Sequence, residues 1–123
     1  MLDADETKHV ARVLRAKVGD CLALTDGVGR IYEGEIERLE KRTCVLKTRL
    51  IETQPAPSPA LTLVIAPTKS TDRFEWFLEK AMEMGVRTIQ PVWTERSERK
   101  LEKADRWRRV LISALKQSQQ AWL

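Results

Sequence analysis

Lys69 and Arg73 stand in the stretch APTKSTDRFEWFLEKAMEMG (66–85), where an apolar run hands over to an amphipathic pattern. Cations placed there could receive an anion, because the N–H groups of a helix start would add to the same field. A second polar set, Glu95, Arg96 and Ser97, follows the next apolar run. Ligands of open α/β sheets sit beyond the carboxyl ends of the strands, so both sets are predicted to reach one edge. The competing reading is that Arg73 and Lys80 pair with Glu75, Glu79 and Glu83 at helical spacing. Sequence leaves both open.

The charge distribution bears on that choice. The 123 residues hold 22 Lys and Arg against 18 Asp and Glu, a net charge of +4. Residues 1–60 are balanced, ten against ten, whereas 61–123 carry twelve against eight. The stretch 95–116 alone has eight cations (Arg96, Arg99, Lys100, Lys103, Arg106, Arg108, Arg109, Lys116) against four anions, which equals the whole excess. A local surplus is the footprint of phosphate binding, and a solvated helix face produces such runs too. Among the four tryptophans, Trp107 belongs to an apolar helix face and reads as core, while Trp76 falls off the main face of its helix and suits a surface role such as base stacking.

Other chemistries are disfavoured. His9 is the single histidine, and Cys21 and Cys44 have no Cys or His at metal-ligand spacing, which argues against a metal site and a Ser-His-Asp arrangement. Both cysteines are expected to be buried thiols. No GxGxxG or Walker loop occurs. No run approaches the roughly 18 apolar residues of a membrane span, and Met1 leads into Leu-Asp-Ala-Asp-Glu rather than a signal sequence, so a cytoplasmic, membrane-free chain is expected.

These residues must be positioned by two kinds of structure. Residues 53–60, TQPAPSPA, read as a stiff linker, which sets expected boundaries at 1–54, 55–60 and 61–123. Before the linker, DADETKHVARVL predicts a short helix with His9, Arg12 and Arg15 near its end. VGDCLALTD, RIYEGEIERLE and TCVLKTRLIE predict strands joined by tight turns, hence a small barrel. After the linker, LTLVIAP is a strand of the kind buried on both faces. Asp72 with Glu75 resembles a capping box, Phe74, Phe77, Leu78, Ala81 and Met84 share a helical face, and Gly85 ends the helix. VRTIQPVW returns as a strand, giving a β-α-β unit, and a last helix from about Asp105 buries Trp107, Val110, Leu111, Ala114, Leu115 and Ser118. Arg106, Arg108, Arg109 and Lys116 point largely away from that face. The chain reaches QQAWL with no helix-terminating signal. One β-α-β unit and one helix cannot close a doubly wound domain, so this half is expected to be incomplete.

Five ordered motifs, HVARVLRAKVGD, TDGVGRIYEGEI, APTKSTDRFEWFLEKAMEMGV, ERSERK and SALKQSQQA, together resemble the RsmE-type methyltransferases of the SPOUT superfamily. The resemblance implies a mixed α+β and α/β chain: an N-terminal PUA-like small β-barrel that helps bind RNA, followed by a SPOUT domain with a deep trefoil knot. It further implies S-adenosylmethionine as cofactor, a uridine N3 of 16S rRNA in the small ribosomal subunit as target, and a homodimer. By position, His9, Arg12 and Arg15 fall in an HxxxVLR motif, while Lys69, Arg73, Glu75, Lys80 and Glu83 fall in TK...DRxEWxxxKAxE. Glu95, Arg96 and Ser97 form the ERS motif. Arg12, Arg15, Lys69, Arg73, Lys80 and Arg96 are thereby implied to bind RNA, with His9, Glu75, Glu83, Glu95 and Ser97 supporting them. No catalytic base is named. The family's first strand is expected to precede Leu2, and its cofactor-holding GPEGG-like and LGxxxLRxETA-like segments to follow Leu123, so this chain alone is expected neither to bind the cofactor nor to be active. The alternative is a non-catalytic RNA-binding or ribosome-assembly module.

Overall fold

A computed structural model describes residues 1–97 and 103–123. The chain divides into two compact units, Met1–Gln54 and Pro55–Leu123.

In the first unit, helix α1 (Ala4–Arg12) starts where Asp3 accepts the Glu6 amide at 2.8 Å, with Asp5 and Glu6 in the first turn and His9 and Arg12 in the last. The acidic residues at its start and Arg12 at its end thus complement the helix dipole. Strands β1 (Cys21–Thr25), β2 (Arg30–Leu39) and β3 (Cys44–Thr53) pair antiparallel in that order. The β1–β2 turn is tied by Asp26, whose carboxylate accepts the Val28 and Arg30 amides at 2.9 and 3.2 Å and the Arg30 Nε at 2.7 Å. Desolvation is the largest single influence and would raise the Asp26 pKa, but the hydrogen bonds to Val28 and Arg30 and the charge of Arg30 together outweigh it and hold it below the usual value. Val10 of α1 packs on Ile36, Cys44 and Leu46 to form the core.

The three strands form one antiparallel sheet, with Leu2 bridging Cys44 at its β3 edge and α1 covering the core. One expectation changes here. Cys21 is exposed, because β1 begins on its outward phase, whereas Cys44 is fully buried and its thiol is pushed up by desolvation.

In the second unit, β4 (Thr62–Ile65) and β5 (Thr88–Pro91) pair in parallel, with helix α2 (Thr71–Glu83) between them in sequence. Helix α3 (Ala104–Ser118) follows β5 and packs on α2. Phe74, Leu78 and Trp107 are the buried centre, with Ile65 and Ile89 packed against them, and the Phe74 and Trp107 rings meet edge to face at 5.0 Å. Met82, Ala114 and Leu115 extend the contact toward the other end of the helices.

The helices cover one face of this sheet only. β4 therefore alternates rather than being buried on both faces, and Val64 is 65% exposed. Ser70, not Asp72, caps α2, its hydroxyl accepting the Arg73 amide at 3.4 Å. The sequence misled because Asp72 and Glu75 keep capping-box spacing inside a helix that starts earlier. Met84 is exposed and Met82 is buried in its place, since Met84 is the cap residue beyond the last helical turn and Gly85 turns the chain at φ +77. Helix α3 does terminate: Gln119 adopts the left-handed conformation at φ 55, and the tail is held by buried Ala121 and by Arg87 stacked 4.4 Å from the Trp122 ring. A glutamine there escaped notice because glycine is the usual signal.

Candidate functional site

Because β4 and β5 run parallel, their carboxyl ends lie on one edge, and the segments 66–70 and 92–97 both leave from it. That edge brings Lys69, Arg73, Glu95, Arg96 and Ser97 to one end of the second unit. Arg73 is exposed on the first turn of α2 and makes no ion pair among the described residues. Ser97 shapes its segment: its hydroxyl accepts the Thr94 amide at 2.9 Å while its own amide donates to the Thr94 carbonyl at 3.0 Å. Glu95 and Arg96 occupy the exposed tip of the resulting turn. The last three residues of ERSERK, and with them Arg99 and Lys100 of the basic cluster, lie outside the described residues.

A shallow cleft opens on the same edge, lined by Thr68, Lys69, Thr71, Phe74, Lys103 and Trp107. Lys103 Nζ donates to Thr71 Oγ1 at 3.4 Å across it. The lining sets Lys69, Lys103 and the Thr68 and Thr71 hydroxyls beside apolar Pro67, Phe74 and Trp107, and contains no carboxylate. Its two lysines suit an anion better than a cation.

The remaining implied residues separate from this edge. Lys80 sits seven residues beyond Arg73, about 10 Å along the helix at 1.5 Å per residue. Its ammonium is clasped by Glu79 at 2.9 Å and by both oxygens of Glu83 at 3.0 Å. The helical-pairing reading therefore describes Lys80. It does not describe Arg73, because Glu75 turns to α3: Arg106 donates through Nε to Oε1 and through Nη2 to Oε2, the latter at 2.9 Å. That pairing, first from the hydrogen bonds and then from the charge of Glu75, raises the guanidinium pKa further. Arg106 thus faces a partner rather than solvent alone. Its sequence offered no sign of this, since the pair spans 31 residues.

In the first unit His9 is half-buried and Arg12 exposed at the end of α1. Arg15 lies beyond the helix in the left-handed conformation at φ 53, also exposed. Among the described residues no group of three or more His, Cys, Asp or Glu is placed to hold a metal, and no helix is long and apolar enough to cross a membrane.

Comparison with known proteins places the chain in a family. Residues 54–123 match the model of the RNA methyltransferase domain, and residues 2–48 match the RNA methyltransferase PUA domain. The chain belongs to the RNA methyltransferase family. Within it, the ribosomal RNA small subunit methyltransferase E of Synechocystis is 32% identical over 99% of this chain and 40% of its own length. A probable rRNA-methyltransferase from Porphyromonas gingivalis superposes with a TM-score of 0.89 at 41% identity, over 99% of this chain and 52% of that one. A ribosomal RNA small subunit methyltransferase E from Neisseria gonorrhoeae, solved bound to S-adenosyl methionine, superposes at 0.84 with 30% identity, over 98% and 51%. This chain spans about half the length of the relatives it matches. The PUA and methyltransferase assignments implied by the sequence motifs accord with these matches, and S-adenosylmethionine is the cofactor of the relatives solved with it.

Proposed function

We propose that this chain is the RNA-gripping part of an S-adenosylmethionine-dependent rRNA methyltransferase acting on N3 of a uridine in 16S rRNA. The observation that carries the reading is the likeness to the SAM-bound Neisseria enzyme over 98% of this chain, in a unit whose sheet edge presents Arg73 and Arg96 without ion-pair partners among the described residues. Cations at such an edge hold flanking phosphates and orient the strand without reading its bases. They also offset negative charge that develops on a deprotonated base nearby. Lys69 adds to the same field, and Ser97 fixes the turn that presents Arg96.

The described residues do not fit the cofactor: the cleft is shallow, and it offers two lysines and no carboxylate to a sulfonium. This chain's part is therefore binding and orientation. The same misfit favours, as second reading, a non-catalytic RNA-binding or assembly module. Arg12 and Arg15 supply a further RNA contact in the first unit, and the cytoplasm and a homodimer complete the reading on the motif resemblance alone.

Titrating 16S rRNA fragments against the chain across salt concentrations tests this. Binding whose log affinity falls steeply with log salt supports it, and no binding at low salt overturns it. Calorimetry with S-adenosylmethionine should give no heat for this chain, and uptake at the affinity of the longer relatives would misplace the cofactor's pocket.

A further inference from the structure

The outward face of α3 is not used by the edge just described. Arg108 and Arg109 are exposed there, and neither makes an ion pair among the described residues; the Arg109 Nε donates only to the Asp105 carbonyl, at 3.3 Å. Lys116 lies seven residues beyond Arg109, two turns and about 10 Å along the same line of the helix. Asp105 is the one carboxylate on the helix, and Arg106, on the flank toward α2, is already held by Glu75. We infer that this face is a second RNA-docking surface, a sequence-independent track on which Arg108 and Arg109 each neutralise a backbone phosphate.

Composition selects the partner. Among the described residues none of the exposed large apolar side chains lies on α3, so the face lacks the apolar side that a membrane-surface helix needs and the aromatic centre of a protein interface. What it offers is guanidinium forks with unused donors, which match phosphate oxygens. The inference rests on the reading that the chain handles RNA, and it adds a contact outside the sheet edge.

The test compares the unaltered 123-residue chain with R108A/R109A and with R108K/R109K, all three checked by circular dichroism for equal helix content. Each is titrated against a 16S rRNA stem fragment and an unrelated duplex RNA of equal length. Removing two phosphate contacts should make the slope of log affinity on log salt shallower by about 1.5, so that a fourfold rise in salt weakens R108A/R109A about eightfold less than the unaltered chain. The change should be equal for both RNAs, and the lysine pair should restore the slope. An unchanged slope in R108A/R109A overturns the docking surface and leaves the sheet-edge reading standing. A change confined to one RNA replaces phosphate contact with base reading and overturns the track. Competition by polyglutamate as effective as by RNA assigns the face to an acidic protein instead. If the unaltered chain binds neither RNA at low salt, the broader reading falls and this one with it.

Discussion

Helices α2 and α3 pack on each other and are both amphipathic, yet they use charge in opposite ways. α2 carries four carboxylates and two cations, and its Lys80 is enclosed by Glu79 and Glu83. α3 carries one carboxylate and four cations, of which Arg106 is tied to Glu75 of the other helix. A cation's meaning therefore depends on the carboxylates within a turn of it. Lys80 lies in the same motif as Arg73, but local pairing uses its donors internally, whereas Arg73 and the outer α3 arginines make no ion pair among the described residues.

The contrast requires both helices to share one core, and the largest effect should come from removing it. Trp107→Ala takes out a buried ring that meets Phe74 edge to face, a change that costs about 3–5 kcal/mol in protein cores. Urea unfolding followed by circular dichroism should show both helices melting together at a much lower midpoint. If α2 keeps its helicity while α3 melts, the two are independent and the comparison loses its footing.

Next in size is the functional difference. Arg73→Ala should weaken rRNA-fragment binding about fivefold, because it removes one phosphate anchor out of several, while the charge-neutral pair K80M/E83Q should leave it within about twofold. Equal weakening would return Lys80 to the RNA surface. A smaller effect is expected where the helices exchange charge: E75Q and R106Q should each lower Tm by about 1–3 °C, because Glu75 is 15% and Arg106 52% exposed, and the double variant should fall little further than either. Additive effects would mean the two side chains do not act as a pair.

How much of this was legible beforehand depended on the distance over which each signal acts. End charges located α1, apolar runs located both β-α-β strands and apolar spacing located the two later helices, since all of these are properties of neighbours. Gly85 marked its turn because only glycine enters that conformation without cost. The exposure of Val64 and Cys21 was not readable, because it depends on which face another element covers. The same holds for Glu75: its motif suggested a helix cap or a pairing within α2, and only the fold brings Arg106 to it. Ser97 was legible as a residue near the edge but not as the one that closes a turn on Thr94.

The smallest effect concerns the titration of Lys80. Hydrogen bonds to Glu79 first and Glu83 next raise the Lys80 pKa above its usual value of 10.5, against an opposing desolvation. A folded-state pKa above the unfolded one means that the stabilisation is complete below about pH 10.5 and drains away as pH rises through the folded value. Melting curves read by tryptophan fluorescence between about pH 9 and 12 should therefore show an alkaline decline in the unaltered chain that flattens in K80M/E83Q and persists in R108A/R109A. The same slope in all three would mean that the clasp around Lys80 adds nothing to the fold, and α2's cation would then differ from those of α3 in position alone.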